Sequence, residues 1–232
     1  NVPRNISIFD VVSTFFVGGV LSLISTLLLY EVVGVGELDY IGAILVGIVE
    51  EIGKIIVVGH YIKKQNTKYI LNGLLLGACV GAGFAVFETA GLSSQDISYM
   101  IDILFLRAVL SIGAHTVWTA IAAVGLVLAK GENEFDNNDY YKPQFLKFLI
   151  LVIVMHAIWD MPITFGGSIY LIQILLCVIA ITVVLILLSS GLRQVSLIAD
   201  KARKNIRDSF RNMEYNTDEN DIRGGQNDEK IL

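Results

Sequence analysis

The chain has 232 residues, of which 54% are hydrophobic and 17% charged, against about 25% charged in ordinary soluble domains. With a mean hydropathy of +0.66 and a formal net charge of -5, it reads as a membrane protein and gives no sign of nucleic-acid binding. Its two cysteines, Cys79 and Cys177, both sit in apolar runs, which excludes a disulfide framework and a cysteine zinc site.

Apolar runs of about 20 residues are long enough to cross the hydrocarbon core as helices. Six such runs are predicted, at roughly 10–33, 41–62, 70–92, 101–129, 145–166 and 168–191. The fourth exceeds the bilayer thickness and is expected to tilt or project. Only three prolines occur, and none interrupts the middle of a span. No alternating barrel strands appear, so the expected fold is all-α: a polytopic helical bundle that satisfies every backbone group internally. The chain begins at Asn1 rather than Met, so a segment upstream is expected; the apolar run of span one is too long for a cleavable signal.

Seventeen Lys and Arg residues set the topology. Arg4 precedes span one, Lys63, Lys64 and Lys68 follow span two, and Lys130, Lys142 and Lys147 follow span four. The alternate loops (34–40, 93–100 and the turn near 167) hold none. By the positive-inside rule both termini are expected in the cytoplasm. Beyond the transmembrane domain, 1–191, the segment 192–213 places Leu192, Val195, Ile198, Ala202, Ile206, Phe210 and Met213 at near-helical spacing among basic residues. Such a basic amphipathic helix suits the inner leaflet surface, with a partner-binding helix as the alternative. The polar stretch 214–232 is expected to be disordered. No internal repeat of the transporter kind is visible.

Four of the spans carry residues that hydrocarbon rejects. An ionisable group at the centre of a spanning helix costs about 2.5–3.5 kcal/mol, so eight of them imply ~20 kcal/mol of gross penalty. In span two the pattern is Glu50-Glu51-x-x-Lys54. The adjacent acids point about 100° apart, and Lys54 is within reach of either. The bland reading is a buried ion pair; the functional one makes one Glu a general base while Lys54 keeps its neighbour ionised. Span three carries Gly73, Gly77 and Gly81, a spacing that lets helices approach closely and aims Glu88 of Phe84-x-x-x-Glu88 into the bundle. Span four carries Arg107, read as a counter-charge for Glu88 or Asp160, and His115 near its middle, about 12 Å along the axis. Span five carries His156-x-x-x-Asp160 on one face. There the Asp either fixes the imidazole tautomer or faces a metal or a reacting carbonyl with it. His60, beside Lys63 and Lys64, is given no catalytic role. Helical rise brings these motifs to similar depth, which points to one polar cavity.

In this order on successive helices, the motifs resemble the PrsW family of intramembrane proteases, within a superfamily that includes type II CAAX prenyl endopeptidases and bacterial Abi proteins. The resemblance covers spans two to five. It implies a multi-pass protein of the cell membrane that cleaves a membrane-tethered, single-span substrate such as an anti-sigma factor at site 1. It also implies that Glu50 and Glu51 contain the water-activating base. Glu88 stands where the CAAX enzymes have a histidine, and Asp160 where they commonly have an asparagine, departures that favour the PrsW branch. The expected catalytic set is Glu50, Glu51, Lys54, Glu88, His156 and Asp160. Glu88, His115, His156 and Asp160 are the expected ligands of a zinc ion, in an open site of three ligands plus water. A glutamate-dependent mechanism without a metal is the alternative, and no HExxH helix is present. Outside proteolysis, a non-catalytic scaffold that binds transmembrane helices and an ion or proton transporter remain as readings.

Overall fold

Polar side chains cap the starts of the first two helices. In the computed structural model, which describes residues 5–34, 39–93, 105, 110, 113–163 and 170–228, Ser7 and Asp10 form a capping box at the start of α1 (Ile8–Val33). One turn of α1, Thr14–Gly18, is π-helical, and the helix ends at Gly34, whose φ of 70° only glycine adopts without cost. Asp39 caps α2 (Tyr40–Lys64) by accepting from Gly42 N at 2.7 Å. Then follow α3 (Ile70–Ser93), α4 (His115–Lys130), a 3-10 turn at Asn137–Tyr141, α5 (Pro143–Asp160) with proline at its permissive first turn, and α6 (Tyr170–Asp228).

Among the described residues there are no strands, and four helices are long and apolar enough to cross a membrane: Ile8–Val33, Ile70–Gly91, Pro143–Asp160 and Leu171–Arg211. The protein is therefore an all-α polytopic bundle, as its composition predicts. Helix α2 has 25 residues, about 37 Å at the helical rise, and carries Glu50, Glu51 and Lys54 in its middle. Helix α4 is apolar on nearly all faces and buried from Trp118 to Val127, packed against α2, α3 and α5.

Within the fourth span, His115 is the first residue of the 16-residue helix α4. Ala114, at φ -110° and ψ -110°, has left helical geometry, and Gly113 before it weakens helix propagation. Helix α6 runs to Asp228. The chain divides into two units, Asn1–Gly191 and Leu192–Leu232.

Backbone contact between helices depends on glycine. A Cβ on Gly77 would stand 2.7 Å from Ala120 Cα and 2.6 Å from Ala123 Cβ, and one on Gly81 would stand 2.9 Å from Thr119 Cβ. The glycine stripe of α3 thus lies directly on α4. Gly19 of α1 meets Gly83 of α3 in the same way, where a Cβ would stand 2.6 Å from Gly83 Cα. These crossings bring Phe84 and Glu88 to the start of α4, next to His115.

Gly77→Ala is expected to destabilise the bundle by about 1–3 kcal/mol, since the obstructing Ala120 Cα is backbone and cannot turn aside. Gly91→Ala, with nothing among the described residues within 4 Å of its Cβ, should leave the midpoint unchanged or slightly raised. Thermal unfolding in detergent compares the two; equal midpoints would show that this crossing is not tight.

Candidate functional site

Lys54 is fully buried, and its ammonium meets groups from three helices. Nζ lies 3.3 Å from Glu50 Oε2 and 2.8 Å from Glu51 Oε1, both on α2. It is 2.9 Å from His115 Nδ1 on α4 and 4.1 Å from the centre of the Phe84 ring on α3. Phe84, with no exposed surface, supplies its ring face to the cation, which accounts for the aromatic position of the Phe84-x-x-x-Glu88 motif.

The adjacent acids of α2 divide their work, as their angular separation requires. Glu51 is 1% exposed, and its Oε1 is shared between Lys54 and His156 Nδ1, the latter at 2.8 Å. Its Oε2 is buried without a hydrogen-bond partner among the described residues. Glu50 turns the other way. Its Oε1 accepts from the Tyr30 hydroxyl at 2.7 Å, and its Oε2 lies 3.7 Å from His156 Nε2. Glu50 also lines a cavity of about 350 Å³, together with Leu27, Tyr30, Phe84, Phe87 and Glu88.

Each imidazole has a carboxylate beside its Nε2. His115 Nε2 stands 3.4 Å from Glu88 Oε2, and His156 Nε2 stands 3.3 Å from Asp160 Oδ2. The two rings are 5.0 Å apart, and Trp118, fully buried, packs against both. Helical spacing thus brings together Glu50, Glu51, Lys54, Glu88, His115, His156 and Asp160. Arg107 lies outside the described residues. His60 is exposed, with its ring edge-on to Tyr61.

Of the four expected zinc ligands the donor set keeps His115 and His156, and Glu50 takes the carboxylate place. Glu50, His115 and His156 each offer a ligand atom within 4.8 Å of the others, and all three are buried. Glu88 and Asp160, the expected carboxylate ligands, flank the imidazoles instead. The spacing of the motifs was silent on this, because it does not tell which of two adjacent acids faces the histidines.

Two features of the donor set fit a divalent metal. Four carboxylates, those of Glu50, Glu51, Glu88 and Asp160, share the site with one ammonium and two imidazoles, and with both imidazoles neutral this is an excess of negative charge that a buried site must offset. His156 faces a carboxylate at each ring nitrogen, and a neutral imidazole has only one N–H to give. With the Nδ1 proton on Glu51, the Nε2 lone pair is left for a cation, the carboxylate–histidine–metal arrangement. Two imidazoles and one carboxylate form a known ligand set for catalytic zinc. His115 is engaged at both nitrogens, so ligation there exchanges either the Lys54 or the Glu88 contact for the metal.

Tyr30 went unnoticed in the sequence. A tyrosine near the end of a span is ordinarily an interfacial belt residue, and no spacing rule links it to span two.

Fold and site together define a membrane-embedded hydrolytic centre built from acids, imidazoles and a lysine. The chain belongs to the PrsW family of intramembrane metalloproteases, whose family model matches residues 3–188. No curated protein and no solved structure matches it.

Removing the central cation tests how the cluster is held. Lys54→Met leaves Glu50 and Glu51 without their counter-charge and should cost about 3–5 kcal/mol of stability. Adding Glu51→Gln to that variant should restore part of the loss, read as the unfolding midpoint in detergent. A Lys54→Met protein as stable as the parent would show that the cluster does not depend on this ion pair.

Proposed function

We propose that this protease hydrolyses a peptide bond in a single-span membrane protein, with Glu50, His115 and His156 holding a zinc ion and Glu88 acting as general base. The observation that carries the reading is the meeting of Glu50 with both imidazoles at the wall of a cavity that Glu88 also lines. When bound, zinc supplies a Lewis acid that polarises the peptide carbonyl and lowers the pKa of water.

The chain's own residues divide the remaining tasks. Glu51 fixes the orientation of His156 through Nδ1, and Lys54 balances Glu50 and Glu51. Water adds to the carbonyl carbon while Glu88 takes its proton. Glu88 then returns that proton to the amide nitrogen as the C–N bond breaks. Sequence pattern alone assigned the base to Glu50 or Glu51. In this reading the role passes to Glu88, because Glu51 is enclosed by Lys54 and His156 and Glu50 stands with the imidazoles. Asp160 contributes charge beside His156 Nε2.

The apolar walls of the cavity, Leu27, Phe84 and Phe87, suit an extended segment entering from the membrane. An anti-sigma factor is the substrate the family resemblance points to, cut in the cell membrane by a protein whose termini face the cytoplasm.

Purified protein in detergent or liposomes should cleave a single-span substrate, lose activity to a strong chelator and regain it with zinc. Glu50→Gln, His115→Ala and His156→Ala should lose both metal, by elemental analysis, and activity. Glu88→Gln should keep its metal and lose at least ~10² in rate. Cleavage at full rate in chelator would remove zinc from the mechanism, and full activity of Glu88→Gln would remove Glu88 as base. For orientation, a reporter fused after Leu232 should read cytoplasmic; an external signal would invert the topology.

A further inference from the structure

Helix α1 carries none of the acid and histidine motifs, yet its Tyr30 hydrogen-bonds a member of the site. We propose that Tyr30 is a positioning residue for Glu50, holding Oε1 so that Oε2 faces Lys54 and His156. The proposal rests on the assignment of Glu50 as a metal ligand above and extends it to the groups that orient the ligand.

The register between α1 and α2 makes the contact a built one. Near one end of the pair, a Cβ on Gly18 would stand 3.2 Å from the Tyr61 ring. Farther along, a Cβ on Gly53 would stand 3.1 Å from Thr26 N and 3.2 Å from Thr26 Cα, so the two backbones nearly touch there. Tyr30 lies one turn after Thr26, and Glu50 lies three residues before Gly53. In antiparallel helices both therefore fall on the facing surfaces. Close approach at Gly53 sets the separation that a phenol spans, and the hydroxyl meets Oε1 at 2.7 Å. The end of α1 is fixed by Gly34, whose N–H donates to the Tyr30 carbonyl at 2.9 Å.

Glu50 is held from both sides. Tyr30 binds one oxygen while Lys54 stands 3.3 Å from the other, so the carboxylate plane is set before any ligand arrives. Tyr30 also lines the cavity shared by Glu50 and Glu88, so its ring borders the space where a peptide would lie. A tyrosine serving only as an interfacial anchor would turn its hydroxyl to water.

Ligating carboxylates depend on such outer hydrogen bonds, whose loss lowers metal affinity or activity by about 10–100-fold. Tyr30→Phe keeps the ring and removes the bond; Tyr30→Leu removes both. In the full chain, Tyr30→Phe should weaken zinc binding about 10–100-fold in competition with a chromophoric chelator. It should also lower kcat with little change in KM. Coupling to Glu50 is read independently from unfolding midpoints of Tyr30→Phe, Glu50→Ala and the double variant. The midpoint drop caused by Tyr30→Phe should vanish in the Glu50→Ala background. If Glu50→Ala does not accumulate, Glu50→Gln serves, and the drop should shrink. Equal drops in both backgrounds, or a Tyr30→Phe protein with parental zinc affinity and kcat, would overturn the proposal. A parent chain that neither binds zinc nor cleaves peptides would sink the protease reading. The midpoint cycle then decides Tyr30 alone, upholding its hold on Glu50 if the drops differ and overturning it if they do not.

Discussion

One buried ammonium organises this bundle. Lys54 gathers two carboxylates of its own helix, an imidazole of α4 and a ring face of α3, and Glu51 passes the connection on to His156 of α5. In hydrocarbon an unpaired charge costs several kcal/mol, so each partner is needed by the next. The polar groups are therefore held as one network rather than as separate pairs, and a network in low dielectric is rigid when its members are satisfied.

That network requires helices closer together than ordinary side chains permit. Glycines 19 and 83 bring α1 to α3, the stripe of Gly77 and Gly81 brings α3 to α4, and Gly53 brings α2 to Thr26 of α1. A Cβ on Gly47 would likewise stand 3.0 Å from Ala157 N, next to His156, so α2 and α5 also meet at backbone distance. Packing of this kind replaces the hydrophobic drive that lipid does not supply. It holds polar side chains at hydrogen-bonding distance across five helices.

The same arrangement divides similar residues into different roles. Glu50 and Glu51 are chemically identical neighbours, yet one lines a cavity and the other is enclosed between Lys54 and His156. His115 and His156 each carry a carboxylate at Nε2, but their Nδ1 atoms meet a lysine in one case and a glutamate in the other. Chemistry at the site depends on these differences more than on residue type.

Much of this was legible in the sequence because hydrocarbon permits few alternatives. Apolar length defined the helices, the cost of burying ions marked Glu50, Glu51, Lys54, Glu88, His115, His156 and Asp160 as partners, and the motif order identified the PrsW family. Helical periodicity placed Glu88 on the glycine face and Asp160 under His156. Four features were decided only in three dimensions: the hydroxyl of Tyr30 on Glu50, the ring of Phe84 on Lys54, the helix start at His115, and Glu50 as the carboxylate that groups with both imidazoles. The reason is geometric. Periodicity fixes which residues share a face of one helix, but the rotation and height of that helix against its neighbours come from packing. Contacts such as Glu51 with His156, 105 positions apart, exist only once that packing is complete.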